Sequence, residues 1–444
     1  MKYLIKTYGC QMNEHDSEIM AGLLRGMGFS EAERAEEADV ILVNTCSIRE
    51  TAVDKILGTV GDLKALKRVR PELIVGMAGC LPQHQDELER VLKRAPHLDL
   101  VLGTHNLHRL PELVAQARGA PGTVVEVWPE AREDAAELPV LRAGRVKAWV
   151  TIIHGCDKRC SYCVVPGTRG RERSRPLEEI RREVRGLAAA GYKEVTLLGQ
   201  NVNAYGKDLR PRLSFADLLR EVDGIEGIER IRFMTPHPRD FTPEMVEAIA
   251  AARHACEHVH LPVQSGSNAV LRAMRRSYTR EHYLGLVGLI RDRIPGVSLT
   301  TDVIVGFPGE GEAEFRETLD LVSEVGFDAA YTFMFSARAG TPAATLPEQV
   351  EREVKKERLA RLMTLQNAVS LRRNRELVGR VVEVLVEGPS RSNPEMLTGR
   401  TRGNKIVLFP GEGELAGELA TVEVLAARTW TLHGGAPRPR REPS

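Results

Sequence analysis

The 444 residues have almost no net charge, no apolar run of membrane length and no even set of cysteines, and each lack excludes something. Lys and Arg number 62 against 61 Asp and Glu, a formal net charge of +1, so no global field draws the chain to nucleic acid and any such binding must be local. No apolar stretch approaches the roughly eighteen residues that a membrane span needs. Residues Met1 to Lys6 read as a strand and lack the apolar core and small-residue cleavage site of a signal peptide, so a cytoplasmic chain is expected. Seven cysteines, an odd number, fit a disulfide framework poorly and fit a reducing compartment in which thiols serve metals.

What is present is more specific. A hydrophobic content of 42% over this length is that of an ordinary globular chain of two or three domains. Its most distinctive stretch is Gly155-Cys156-Asp157-Lys158-Arg159-Cys160-Ser161-Tyr162-Cys163, a C-x3-C-x2-C spacing just after the apolar run Trp149 to Ile153. Three thiolates on one loop at the end of a strand can serve one metal centre and leave one position open, as a site that must bind substrate does. The alternative is a zinc loop completed by a distant His or by Cys256.

Three further cysteines repeat one pattern. Cys10 follows Tyr3 to Gly9, Cys46 follows Val40 to Thr45, and Cys80 follows Leu73 to Gly79. Each caps a short apolar run, and helix-like segments begin near Glu14, Ile48 and Gln83. Strands alternating with helices form a parallel sheet whose ligands sit beyond the carboxyl ends of the strands, where all three thiols would lie. With a fourth strand at Leu98 to Gly103 and a helix from about His105 to Arg118, residues 1–118 read as a small flavodoxin-like domain holding a second three-thiolate site. The alternative, small buried hydrophobes, suits Cys256, which has no such company.

Residues 119–144, rich in proline and acid, read as a linker with one strand-like piece at Thr123 to Trp128. From 145 to 373, six strand-like runs, near 147–153, 194–198, 230–234, 258–263, 298–305 and 329–335, alternate with helical ones, which is a partial (β/α)6 barrel with its active face at the carboxyl ends of the strands. Those ends carry the cysteine loop, Gly199 and Gln200, Gln264 and Ser265, and Val305 followed by Gly306; glycines and neutral polar groups there suit an amino acid or ribose ligand. His237 and His260 also stand near these ends, although a lone His is more often a hydrogen-bonded core residue than a ligand contact. After a long charged helix, residues 374–435 break into short alternating runs punctuated by Gly and Pro, a small antiparallel β-barrel, and 436–444 read as a disordered tail.

The cysteine loop opening a six-unit partial barrel resembles the radical S-adenosylmethionine (SAM) superfamily. Tyr8-Gly9-Cys10-Gln11-Met12-Asn13-Glu14, Asn44-Thr45-Cys46-Ser47-Ile48-Arg49-Glu50 and Leu198-Gly199-Gln200-Asn201-Val202-Asn203 resemble its methylthiotransferase branch. Within that branch the chain is most similar to the tRNA enzymes that add a methylthio group to C2 of N(6)-dimethylallyladenosine beside the anticodon. The same chemistry on threonylcarbamoyladenosine or on a ribosomal protein is the alternative, and a non-catalytic iron–sulfur RNA-binding protein a more distant one. The resemblance implies two 4Fe–4S clusters, one on Cys156, Cys160 and Cys163 that chelates SAM and one on Cys10, Cys46 and Cys80 that carries the transferred sulfur, with two SAM used per turnover. It places Tyr162 near the adenine of SAM, and Gly199, Gln200, Gln264, Ser265 and Val305 around the rest of that cofactor. Gly167 stands where the family leads one to expect Tyr.

The terminal barrel resembles the TRAM module, an RNA-binding barrel, with Arg391, Arg400, Arg402 and Lys405 as expected phosphate contacts. The expected partners are therefore tRNA, an electron donor such as a flavodoxin or ferredoxin, and an iron–sulfur or sulfur-supply system; no membrane and no second copy are expected.

Overall fold

The computed structural model describes residues 1–47, 50–131, 138–391 and 393–439, the side chains of residues 50–54 and 439 excepted. The expected helix start near Ile48, and the end of the tail, lie outside the described residues. Two compact units emerge: Met1–Ala143 with His154–Arg173 and Ser336–Ala344, and Gly144–Ile153 with Ser174–Phe335 and Thr345–Ser444. The cysteine loop, expected to belong with the partial barrel, is thus part of the first unit.

In that unit the runs noted above become parallel strands: β1 (Lys2–Thr7), β2 (Ser30–Glu31), β3 (Val40–Thr45), β4 (Ile74–Gly79), β5 (Leu100–Leu102) and β6 (Val124–Glu126). Their order is β2-β1-β3-β4-β5-β6, the flavodoxin-like arrangement. β3 and β4 are buried at every position, as strands covered on both faces must be. One face packs Ile41, Val43, Val75 and Met77 beneath the helix Glu50–Val69; the other packs Leu42, Ile74 and Leu100 beneath helix α1 (Gln11–Gly26) and Leu110–Ala117. β6 corrects the linker, whose strand-like piece is a full member of the sheet, paired with β5.

The second unit contains the six expected barrel strands, Lys147–Thr151, Glu194–Leu198, Arg230–Phe233, His258–His260, Ser298–Val305 and Ala329–Met334. They form two three-stranded parallel ladders, connected between the third and fourth strands by the single bridge Ile231 to Ala255. A continuous core from Ala148 to Leu362 fills the space between strands and helices.

The same unit holds the small barrel. Val381–Pro389, Met396–Thr401, Ile406–Pro410, Thr431–Gly434 and Leu419–Ala427 pair in that order, and the last closes on the first. Arg438–Pro439 adds to it by pairing with Ala420 and Thr421, so the chain expected to be disordered from 436 is ordered there by backbone hydrogen bonds.

This barrel is fastened to the amino-terminal end of the partial barrel, opposite the mouth. Arg230, fully buried at a strand start, donates to the Arg400 carbonyl at 2.5 Å and to Glu383 at 3.0 Å. Arg232 donates to the carbonyls of Thr401 and Arg402, each at 2.8 Å, while its Nε is paired with Glu194 at 2.9 Å. Arg402 in turn reaches Glu257, Lys405 reaches Asp328 at 2.6 Å, and Lys147 and Arg400 share Glu387. Every one of these barrel residues lies at, or within two residues of, the start of a strand. Contacts at the amino-terminal end of such a barrel serve stability, and chemistry is left to the other end.

Candidate metal centres

The crevice of a flavodoxin-like sheet opens at the carboxyl ends of the two strands where the connections reverse, here β1 and β3. Cys10 follows the first and Cys46 the second, and Cys80 follows β4 beside them. A Cβ on Gly9, whose φ is +132°, would stand 2.8 Å from the Cβ of Cys46, so only glycine lets the two cysteine turns approach so closely. Gly79, φ +98°, is constrained in the same way by the Asn44 side chain and the Thr45 backbone.

Two buried amides lock these turns together. Asn13 donates to the Asn44 side-chain oxygen at 3.1 Å and to the Thr45 carbonyl at 2.8 Å, and Asn44 donates back to the Asn13 carbonyl at 2.8 Å. Thr45 completes the set: its carbonyl accepts the Cys80 amide at 2.9 Å and its hydroxyl donates to the Ala78 carbonyl at 2.6 Å. Cys10 is itself the N-cap of α1. Cys80 lies within electrostatic reach of Cys46 and Cys10, and burial pushes its thiol up to about 12, so metal binding there would displace a proton.

The second triplet belongs to the same unit. The Cys156 amide donates to the Gly170 carbonyl at 3.1 Å, the Cys163 amide to the Cys160 carbonyl at 3.1 Å, and the Ser161 carbonyl accepts from the Ala343 amide at 2.8 Å, which closes the loop and ties it down. Burial pushes the Cys156 thiol up to about 12, with Cys163 and Cys160 adding to the shift as near neighbours. Gly167 sits in the one-turn helix Val165–Arg169 with open space around its Cβ position, so the loop's shape does not depend on a large side chain there.

None of the seven cysteines is in a disulfide. Among the described residues no three Cys, His, Asp or Glu groups converge tightly enough to share a single ion. Three thiols with one position left open are the donor set that a substrate-binding 4Fe–4S cluster takes, and each triplet supplies that set. Ser47, Leu81 and Val164, each adjacent in sequence to a cysteine, line one small cavity with His84. Cys256, fully buried beside Arg232, is a packing residue.

At the mouth of the partial barrel, Gln264 adopts φ +70°, a strained conformation for a residue with a side chain, while its backbone bridges to Val303. Ser265 is wholly buried against Thr318 at 3.3 Å, Val305 is wholly buried, and a Cβ on Gly199 would collide with Ile153. Gln200 stands half-buried beside Gly199. His260 is hydrogen-bonded to Thr300 at 3.0 Å and lies 3.4 Å from Asp302, and the His237 backbone is clasped by Asn203. Thr235, φ 59°, was not singled out from the sequence; its hydroxyl donates to the Gly199 carbonyl at 2.6 Å and so holds two strand ends together. The Thr-Pro dipeptide was its only sequence signal.

Of the expected phosphate contacts, Arg391 is exposed, whereas Arg400, Arg402 and Lys405 are half-buried with the partners described above.

Comparison with known proteins bears on this arrangement. Residues 150–322 match the Radical SAM superfamily, residues 2–103 match "Uncharacterized protein family UPF0004", and residues 375–436 match the TRAM domain. A curated relative from Symbiobacterium thermophilum, tRNA-2-methylthio-N(6)-dimethylallyladenosine synthase, is 55% identical over 97% of this chain and 93% of its own length. The chain belongs to this synthase family. A second member, from Desulforamulus reducens, is 51% identical over 97% of this chain and 94% of its own. The synthase fold is shared more distantly by a solved radical SAM methyltransferase, TsrM of Kitasatospora setae, at TM-score 0.56 and 18% identity over 77% of this chain and 76% of that one. Among the described residues no helix is long and apolar enough to cross a membrane.

Proposed function

We infer that the chain is a radical SAM methylthiotransferase that adds a methylthio group to C2 of N(6)-dimethylallyladenosine beside the anticodon of tRNA. The observation that carries this reading is the pair of cysteine triplets, each assembled by backbone hydrogen bonds within one unit of a chain of this family. Two 4Fe–4S clusters and SAM are the cofactors; they supply the radical chemistry and the sulfur that a C–H position without acidity or leaving group requires, and for which no side chain suffices.

The chain's own residues would bind and orient. Cys156, Cys160 and Cys163 would hold the cluster that binds SAM, with Tyr162 beside the adenine, and Cys10, Cys46 and Cys80 the cluster that carries sulfur. Gln200 and Gln264 would offer polar groups to SAM, while the packed Gly199, Ser265 and Val305 would shape the wall behind it. Cys46, Cys80, Cys156 and Cys160 are buried, whereas Cys10 and Cys163 are half-buried and would leave each centre a side open. In the terminal barrel, Arg391 is the residue of the original four that would meet an RNA phosphate. A flavodoxin or ferredoxin as reductant, an iron–sulfur or sulfur-supply system, a monomeric state and a cytoplasmic location complete the reading.

The test is anaerobic incubation of the reconstituted protein with SAM, a reductant and tRNA containing N(6)-dimethylallyladenosine, followed by mass spectrometry of the nucleosides. A 2-methylthio product that disappears with Cys10→Ala or Cys160→Ala supports it. Formation of 5′-deoxyadenosine without that product would sink the substrate and turn attention to threonylcarbamoyladenosine or a ribosomal protein.

A further inference from the structure

The loop that carries Cys156, Cys160 and Cys163 continues into the short helix Val165–Arg169, which packs on the 3-10 turn Leu81–Gln83 directly after Cys80. Its last residue, Arg169, is only 7% exposed, and its Nη2 donates to the Asp16 carboxylate at 2.6 Å. Asp16 stands on α1, the helix capped by Cys10, and is itself buried. The guanidinium therefore lies between the Cys80 turn and the Cys10 helix, in a region with little water to screen it.

We propose that Arg169 is a positioning residue that supplies the fixed positive charge of the Cys10, Cys46 and Cys80 centre, with Asp16 holding its guanidinium in place. The inference rests on the reading that these three cysteines hold a 4Fe–4S cluster. A cluster with three thiolate ligands is anionic and becomes more so when it takes an electron, and a buried anion needs a partner. Arg169 ends the helix packed on the turn that follows Cys80 and is bonded to Asp16 on the helix capped by Cys10, so its guanidinium is the cation held between those two turns. His105, also packed here, is kept neutral, its pKa pushed down to about 4 by burial with Arg169 and Arg173 adding to it, so it contributes no charge near neutral pH. The Thr104 hydroxyl donates to the Thr168 carbonyl at 2.6 Å and fixes the arginine's backbone. The consequence is that the loop of one centre sets the reduction potential of the other.

The experiment is an anaerobic redox titration followed by electron paramagnetic resonance, on the full chain with Cys156→Ala, Cys160→Ala and Cys163→Ala so that only the N-terminal cluster reports. With Arg169→Met, reduction is expected to become at least about tenfold harder, a shift of about 59 mV to more negative potential for one electron. Arg169→Lys should stay near the parent, and Asp16→Asn, which leaves the cation uncompensated, should shift the potential the opposite way. A merely structural role moves both in one direction or neither. Equal potentials for Arg169→Met and parent at full iron content overturn the inference and leave the cluster reading intact. If Arg169→Met takes up no iron, Asp16→Asn decides, and an unchanged or more negative potential there overturns it. A triple-cysteine background without iron overturns both.

Discussion

Arg402 of the terminal barrel grips Glu257 of the partial barrel with two nitrogens, Nε at 2.7 Å from one carboxylate oxygen and Nη2 at 2.8 Å from the other. The bidentate geometry is the strong form of this pair. Nη2 also reaches the Ala255 carbonyl at 2.5 Å. An arginine that resembles a phosphate contact in sequence is thus a fastener between two barrels.

Arg402→Ala is expected to cost about 1–3 kcal/mol, the worth of a charge-assisted hydrogen-bond set that leaves its partner unpaired. Urea denaturation and hydrogen exchange in Met396–Thr401 would register it. The salt dependence of tRNA binding should be unchanged, because no phosphate contact is lost. Arg391→Ala should instead lower that slope by roughly one contact's share, about 0.7 to 0.9 in log–log units.

Acid should loosen the same junction. The carboxyls of Glu257 and Glu387 are desolvated, which alone would raise them, but hydrogen bonds and charge from Arg402, and charge from Arg400 and Lys147, hold both below the usual carboxylate range. A depressed folded pKa means that the stabilisation is fully present above the unfolded value of about 4.3 and is lost as pH falls through the folded value. Thermal unfolding should be flat with respect to these two groups from pH 7 to about 5 and fall below that, and Glu257→Gln should reduce the fall.

Arg230 has no exposed surface, and its removal strands Glu383 and the Arg400 carbonyl. Arg230→Ala should destabilise the unit by about 3–5 kcal/mol, the cost of breaking a buried pair from one side. A loss under about 1 kcal/mol in a two-state denaturation curve would contradict this account of the junction.

Each cluster should load without the other. Cys46→Ser and Cys160→Ala should each lower iron from about eight to about four per chain on the expected two-cluster stoichiometry. Asn44→Ala, which removes the lock between the Cys10 and Cys46 turns, should lower iron in the N-terminal centre while leaving the Cys156 loop loaded; iron analysis in the triple-cysteine background would separate the two.

The parallel sheet with Cys10, Cys46 and Cys80 at its edge, the six barrel strands and the small terminal barrel were all legible in the sequence. They rest on local signals: cysteine spacing, alternation of apolar runs with helical periodicity, and turn residues between them. β6 was read as a strand-like piece of a linker, and Arg438–Pro439 as tail, because each is short and joins its sheet only through a distant neighbour's edge. The destination of the arginines was not legible at all. Arg402 meets Glu257 across 145 positions, and Arg169 meets Asp16 across 153. A charged side chain looks the same in sequence whether it faces RNA, a carboxylate or a thiol. The residue types and their spacing determined the chemistry this chain can do; only the tertiary fold decided which charges remain at the surface and which are buried as partners, because the cost of burying a charge depends on what stands opposite it.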